Sequence, residues 1–175
     1  MAPDPARLFL ALWPDAATRQ ALQAWQGAIA WPADARPTAP AHLHLTLHFM
    51  GAVPRARLPA LQAGLGRPFT PFTLQLAELA LWRGGLAVLL PAQAPPELAA
   101  LHAGLAVALR SLALPVDERP FRPHVTLARH AAGAMLTAPV APLAWRADTG
   151  YVLAESAGGY HVLHAFGAAT SRPSS

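Results

Sequence analysis

The chain has 175 residues, 54% of them hydrophobic and 13% charged, which suits one domain or two small lobes sharing a core and excludes an intrinsically disordered chain. The net charge is +4, and all thirteen basic side chains are arginine, so each positive charge is a permanent planar fork suited to phosphate. There is no cysteine, which excludes a disulfide framework, a thiolate nucleophile and any zinc–cysteine site.

Met1 to Arg7 carries Asp4 and two prolines in place of the apolar run of a signal peptide. No uncharged apolar stretch approaches the ~20 residues of a membrane span, so the chain reads as soluble and cytoplasmic. Arg7–Trp13 is a short apolar run that reads as a buried strand. Asp15 is placed to cap a helix along which Leu22, Trp25 and Ile29 recur at helical spacing. Trp31–Pro40, with three prolines, reads as loop. His44–Phe49 alternates as a strand, Pro54–Leu65 reads as a weaker helix, and Phe72–Trp82 with Leu86–Leu90 forms a hairpin around Arg83-Gly84-Gly85. Pro95–Leu112 is the clearest helix, with prolines at its entry, Glu97 in the first turn and Arg110 in the last. His124–Arg129 alternates again. Ala144–Ser156 and Tyr160–Phe166 read as a second hairpin around Gly158-Gly159, and Ala168–Ser175 as a frayed tail.

The second half of this order repeats most of the first. Arg7 to Leu86 and His44 to His124 are separated by 79 and 80 residues. The expected fold is α+β: two pseudo-symmetric lobes of antiparallel sheet, helices outside and a central cleft, as one bilobal unit over residues 1–167.

The two repeated strands carry the chemistry. In His44-Leu45-Thr46-Leu47 and His124-Val125-Thr126-Leu127, alternation sends the aliphatics to a core and the imidazole and hydroxyl together to the other face. Eight histidines and nine threonines predict about 0.4 His-x-Thr pairs by chance, so two copies at matched repeat positions are a strong signal. Two imidazoles titrating near neutrality can act as base and acid on opposite sides of one phosphorus, and two hydroxyls can donate to its non-bridging oxygens. Arg129 and Arg122 are both placed to clamp the phosphate, although Arg129 has the wrong parity and must reach in from the strand's end or through a local twist. His42 and His48 share the parity of His44. They lie too far apart on a straight strand for one ion, and no acid adjoins His42 and His44 in sequence, so no metal site is expected. His102, on the strong helix, is expected to be solvated, and His130, His161 and His164 to be surface or satisfied polar positions. Trp25 belongs to the core by its spacing, whereas Trp13, Trp82 and Trp145 fit cleft or core.

HLTLHFMG (His44–Gly51) and FRPHVTLAR (Phe121–Arg129) resemble the paired His-x-Thr-x motifs of the 2H phosphoesterases, and most closely those of the bacterial RNA 2′,3′-cyclic phosphodiesterases, or 2′-5′ RNA ligase-like proteins. RLFLAL (Arg7–Leu12) is similar to their opening strand, and the resemblance spans nearly the whole chain. It implies a bilobal α+β fold that hydrolyses 2′,3′-cyclic phosphate termini to 2′-phosphates without a cofactor. By position, His44 would be the general acid and His124 the general base; Thr46, Thr126 and Arg129 would hold the phosphate, and Phe9 would line the cleft. The expected partners are RNA ends or small cyclic nucleotides, met by a monomer away from membranes. The absence of lysine departs from the family pattern and leaves RNA contacts to arginine. Three other readings stay open: another cyclic phosphate such as ADP-ribose 1″,2″-cyclic phosphate, a 2′-5′ linkage including the reverse ligation, and a non-catalytic RNA-binding module.

Overall fold

The computed structural model describes residues 4–137 and 141–167; the expected tail, Ala168–Ser175, lies outside them. β1 (Ala6–Leu12) is followed by α1 (Ala16–Gly27), whose first turn is closed by the Thr18 N–H donating to the Asp15 carboxylate at 2.7 Å. Next come β2 (Arg36–Pro37) and β3 (Leu45–Val53). A 3₁₀ turn at Arg55–Arg57 leads into α2 (Leu58–Gly64), so the weaker helix is shorter than expected. β4 (Phe72–Trp82), β5 (Leu86–Pro91), α3 (Pro96–Ser111) and β6 (Val125–Arg129) follow. The chain then forms β7 (Leu143–Ala147), β8 (Tyr151–Ser156) and β9 (Tyr160–Phe166).

Every pairing is antiparallel, in the order β7-β4-β5-β6-β3-β1-β8-β9, with β2 added along β6. The two lobes are the four-stranded halves of this curled sheet, joined where β3 meets β6 through one Cα pair, Leu45 with Val125. The lobes are not the two halves of the sequence. β4, from the first repeat, pairs with β5 of the second, and β8, from the second, pairs with β1 of the first. Each repeat thus lends strand to the other, the first its β4 and the second its β8 with β9.

Two expectations are corrected. The proline-rich loop contains β2, because Arg36 and Pro37 align with Arg129 and Ala128 of β6. Ala144–Ser156 is not one strand: β7 pairs with β4 in one lobe and β8 with β1 in the other. The chain crosses between them at Asp148-Thr149-Gly150, a turn-forming run. Gly150 has φ +102° there, and a Cβ on it would fall 1.8 Å from the Phe166 carbonyl oxygen, so only glycine fits.

The main core lies between one face of the sheet and the helices. Leu8, Leu10 and Leu12 of β1 join it with Leu22 and Trp25 of α1 and Leu98, Leu105 and Leu109 of α3. Burying each of these leucines contributes ~1.5–3 kcal/mol. The alternate residues of β1, Phe9 and Ala11, pack separately with Ala154 on the opposite face, which looks into the cleft.

Candidate active site

Both predicted histidines line one cavity of about 490 Å³ spanning the seam between the lobes. The Leu45–Val125 register, continued by one residue, sets His44 level with Thr126 and Thr46 level with His124. The rings are held alike. His44 Nδ1–H donates to the His42 carbonyl at 2.7 Å, and His124 Nδ1–H donates to the Arg122 carbonyl at 2.8 Å. A carbonyl only accepts, so both neutral rings carry their proton on Nδ1 and keep the Nε2 lone pair. His44 Nε2 lies 2.9 Å from the Thr46 hydroxyl, which donates to it.

A matched irregularity in the two histidine strands completes the site. Leu10 aligns with His48 but Ala11 with Thr46, which leaves Leu47 as an extra, bulged residue of β3. Ala87 aligns with Ala128 but Val88 with Thr126, so Leu127 is bulged in β6. Beyond a bulge the alternation changes phase. His48 and Ala128 are therefore buried, while Phe49 (71% exposed) and Arg129 turn to the cavity. This is the local twist that Arg129 needed to reach the site. It also overturns the shared parity of His44 and His48. In the second strand the Leu127 carbonyl accepts from the Thr38 N–H at 2.8 Å and from the buried Gln26 Nε2 at 2.8 Å, and the Thr38 hydroxyl donates to the Thr126 carbonyl at 2.8 Å.

The sequence model of the 2′-5′ RNA ligase superfamily matches residues 13–152. The chain belongs to this superfamily. It is 36% identical over 141 residues to the RNA 2′,3′-cyclic phosphodiesterase of Escherichia coli (strain K12), covering 78% of each protein. A crystal structure of a phosphoesterase superposes with a TM-score of 0.85 at 30% identity, over 94% of this chain and 98% of that one. Escherichia coli LigT in complex with 3′-AMP superposes with a TM-score of 0.84 at 29% identity, over 95% and 99%. The α+β superfamily fold expected from the two motifs is therefore present.

Of the site residues named from the sequence of this superfamily member, His44, Thr46, His124, Thr126, Arg129 and Phe9 all line the cavity. Arg122 does not. Its guanidinium lies 4.4 Å from the centre of the Trp82 ring, and Trp82 in turn touches His124, with ring centres 4.5 Å apart. Arg122 meets the His124 ring through its carbonyl, which accepts from Nδ1–H, and through Trp82.

Sequence reasoning missed Arg36, Thr38, Phe49 and Tyr160, which also line the cavity. The superfamily site is wrapped unequally. His44 stacks on Trp13 at 5.3 Å and 10°, and touches Phe9 and Tyr160, each with ring centres 5.1 Å away. Burial among these rings pushes its pKa down to about 4. His124 is also lowered, first by burial, against a Nδ1 bond to the Arg122 carbonyl that favours the charged form. Burial thus disfavours the imidazolium form of both rings.

His102 is not solvated. It is stacked between His48 and Phe121, with ring centres 4.0 and 3.8 Å away, and burial pushes its pKa down to about 4. His48 Nε2–H donates to the His102 carbonyl at 2.9 Å. One residue of α3 thus ties down both motif strands from behind, since Phe121 stands three residues before His124. Among the remaining aromatic and histidine positions, Trp25 and Trp145 are core, His130 and His161 are exposed, and His164 packs on Phe166. No helix of the described residues is long and apolar enough to cross a membrane.

Proposed function

We propose that the protein hydrolyses 2′,3′-cyclic phosphate ends of RNA to 2′-phosphates by two-histidine acid–base catalysis. The observation that carries this reading is the pair of rings locked alike through Nδ1, each beside a threonine, in one cavity. The similarity to a named RNA 2′,3′-cyclic phosphodiesterase supports the substrate class.

In the reaction, His124 Nε2 takes a proton from water, the hydroxide oxygen bonds to phosphorus, and the P–O3′ bond breaks in line. His44 gives its Nε2 proton to the departing O3′, leaving a 2′-phosphate and a free 3′-hydroxyl. Thr46, Thr126 and Arg129 hold the non-bridging oxygens. His44 needs a proton for this role, and a phosphate anion bound beside it supplies the charge that favours imidazolium. Proton transfer and hydrogen bonds account for every step, so activity is expected to survive a chelator.

Assigning acid and base requires a test on substrates of different leaving-group strength. Either His→Ala change is expected to lower kcat by ~10²–10⁴-fold on a 2′,3′-cyclic nucleotide, and the double change little more. An aryl phosphodiester, whose leaving group needs no proton, is expected to rescue His44→Ala and not His124→Ala. Rescue of His124→Ala instead would reverse the roles, and near-wild-type rates in both variants would end the two-histidine proposal.

A further inference from the structure

Arg36 lies on β2 directly opposite Arg129 of β6, and both line the cavity. Opposite residues of an antiparallel pair project to the same side with Cβ atoms ~4.5–5.5 Å apart, and two like charges so placed destabilise the pair. Among the described residues no Asp or Glu lines the cavity, and neither arginine takes part in an ion pair. The Arg36 guanidinium donates from Nη1 to the carbonyls of Asp34 and Ala35, at 3.1 and 3.3 Å. These hold the fork in place and leave its charge uncompensated.

The backbone under Arg36 is built rather than incidental. Thr38 bonds to β6 through both its N–H and its hydroxyl, and Gln26 Nε2 reaches the Thr38 carbonyl at 3.0 Å. The cavity is thereby polarised. Phe9, Phe49 and Tyr160 make one end aromatic, while Arg36 and Arg129 make the other end cationic. With burial disfavouring both imidazoliums, the two guanidiniums of Arg36 and Arg129 supply the permanent positive charge of the cleft, and a cyclic phosphodiester carries a single negative charge. One guanidinium is left over.

We propose that Arg36 binds a second phosphate group of the substrate, so that the cleft selects a 2′,3′-cyclic phosphate attached to a nucleoside bearing a further phosphate. This rests on the cyclic-phosphodiesterase reading and narrows it. The same recognition serves the 5′-phosphate of a mononucleotide and the internal phosphodiester of an oligonucleotide, and three substrates separate them: a nucleoside 2′,3′-cyclic phosphate, its 5′-phosphorylated form, and a dinucleotide ending in the cyclic phosphate.

The test compares wild type with Arg36→Gln, an exposed position whose backbone pairing the change leaves intact. On the two substrates with a second phosphate, kcat/KM is expected to fall about 10–100-fold, the worth of one charge-assisted bond. On the nucleoside cyclic phosphate it stays within about twofold, because no partner for Arg36 is present. A loss confined to the dinucleotide identifies the internal diester as the natural group, and a loss confined to the 5′-phosphorylated mononucleotide identifies the monoester. For the dinucleotide, the slope of log kcat/KM against log salt is expected to shrink by about 0.7, one phosphate contact on a single strand. Equal losses on all three substrates, or none, overturn the proposal. Calorimetric binding of a nucleoside 3′,5′-bisphosphate against the 3′-monophosphate needs no turnover and separates this proposal from the reaction it rests on. Wild type is expected to prefer the bisphosphate and Arg36→Gln to bind both alike; wild type without a preference overturns the second phosphate site even if hydrolysis is confirmed.

Discussion

Replacing Gln26 with leucine keeps the volume of the side chain and deletes the bonds that hold the second bulge. Gln26 is 8% exposed, and its Nε2 donates to the Leu127 carbonyl at 2.8 Å and the Thr38 carbonyl at 3.0 Å. Two neutral bonds at ~1 kcal/mol net each amount to about 2 kcal/mol of stability. At 2–4 °C per kcal/mol for a chain of this size, Tm falls by about 4–8 °C. The functional cost follows from phase: a slackened bulge at Leu127 lets Arg129 swing off the cavity face. Partial loss of its grip on the phosphate, about 1.4 kcal/mol, lowers kcat/KM about tenfold. Tyr151→Phe is the control. The Tyr151 hydroxyl donates to the Leu65 carbonyl at 2.7 Å and accepts from the Arg67 N–H at 2.8 Å, outside the cleft, so its loss also costs about 2 kcal/mol. Thermal melts and 2′,3′-cyclic nucleotide kinetics, run well below both Tm values, are expected to show two similarly destabilised variants of which only Gln26→Leu is slow. Equal kcat/KM in the two would refute the bulge as the device that aims Arg129.

The pH dependence follows from the two lowered imidazoles. Burial disfavours their charged forms, so each gives up its proton at a lower pH than a free histidine would, His44 at about 4. On the proposed two-histidine mechanism the competent free enzyme holds one proton between them, so the bell in kcat/KM is expected to be centred on the mean of two depressed values, below pH 6.5. The bell in kcat is centred higher, because a bound phosphate favours imidazolium; a kcat/KM optimum above pH 7 would contradict this environment. For the ring stack behind the motifs, His102→Ala is expected to lower both Tm and kcat/KM, and His102→Phe, which keeps a flat ring between His48 and Phe121, to restore most of each. Failure of phenylalanine to rescue would show that stacking is not what His102 supplies.

The strand pairs, the long helix and the His-x-Thr couples were legible because each rests on local periodicity. What alternation could not show is where it breaks. Leu47 and Leu127 look like ordinary inward-facing aliphatics in sequence. They become bulges only through the partners that β1 and β5 offer across the ladder, and on that depends the facing of His48, Phe49 and Arg129. Arg122 is held over Trp82, a partner forty residues earlier in the chain that its spacing to His124 does not show. Tyr160 and Trp13 reach His44 through pairings distant along the chain, which periodicity does not encode. The crossing at Asp148-Thr149-Gly150, by contrast, carried a readable turn signal within what looked like one long strand.

The exchange of strands between the repeats has a further meaning for what this cleft can recognise. A lobe that completes itself only with its neighbour's strand is the arrangement of a strand-swapped homodimer, and in a homodimer the twofold axis obliges both ends of a shared site to be identical. Such a site would carry two aromatic ends or two cationic ends, and would accept a substrate equally well in either direction. Here both copies are written into one polypeptide, so the positions just past each bulge are free to differ, and they do: Phe49 on one side, Arg129 on the other. The central chemistry stays nearly symmetric while its flanks acquire a direction. On the proposed reaction, a strand of nucleic acid, which has a direction of its own, would be gripped in one sense only, and the two otherwise equivalent histidines would take separate tasks.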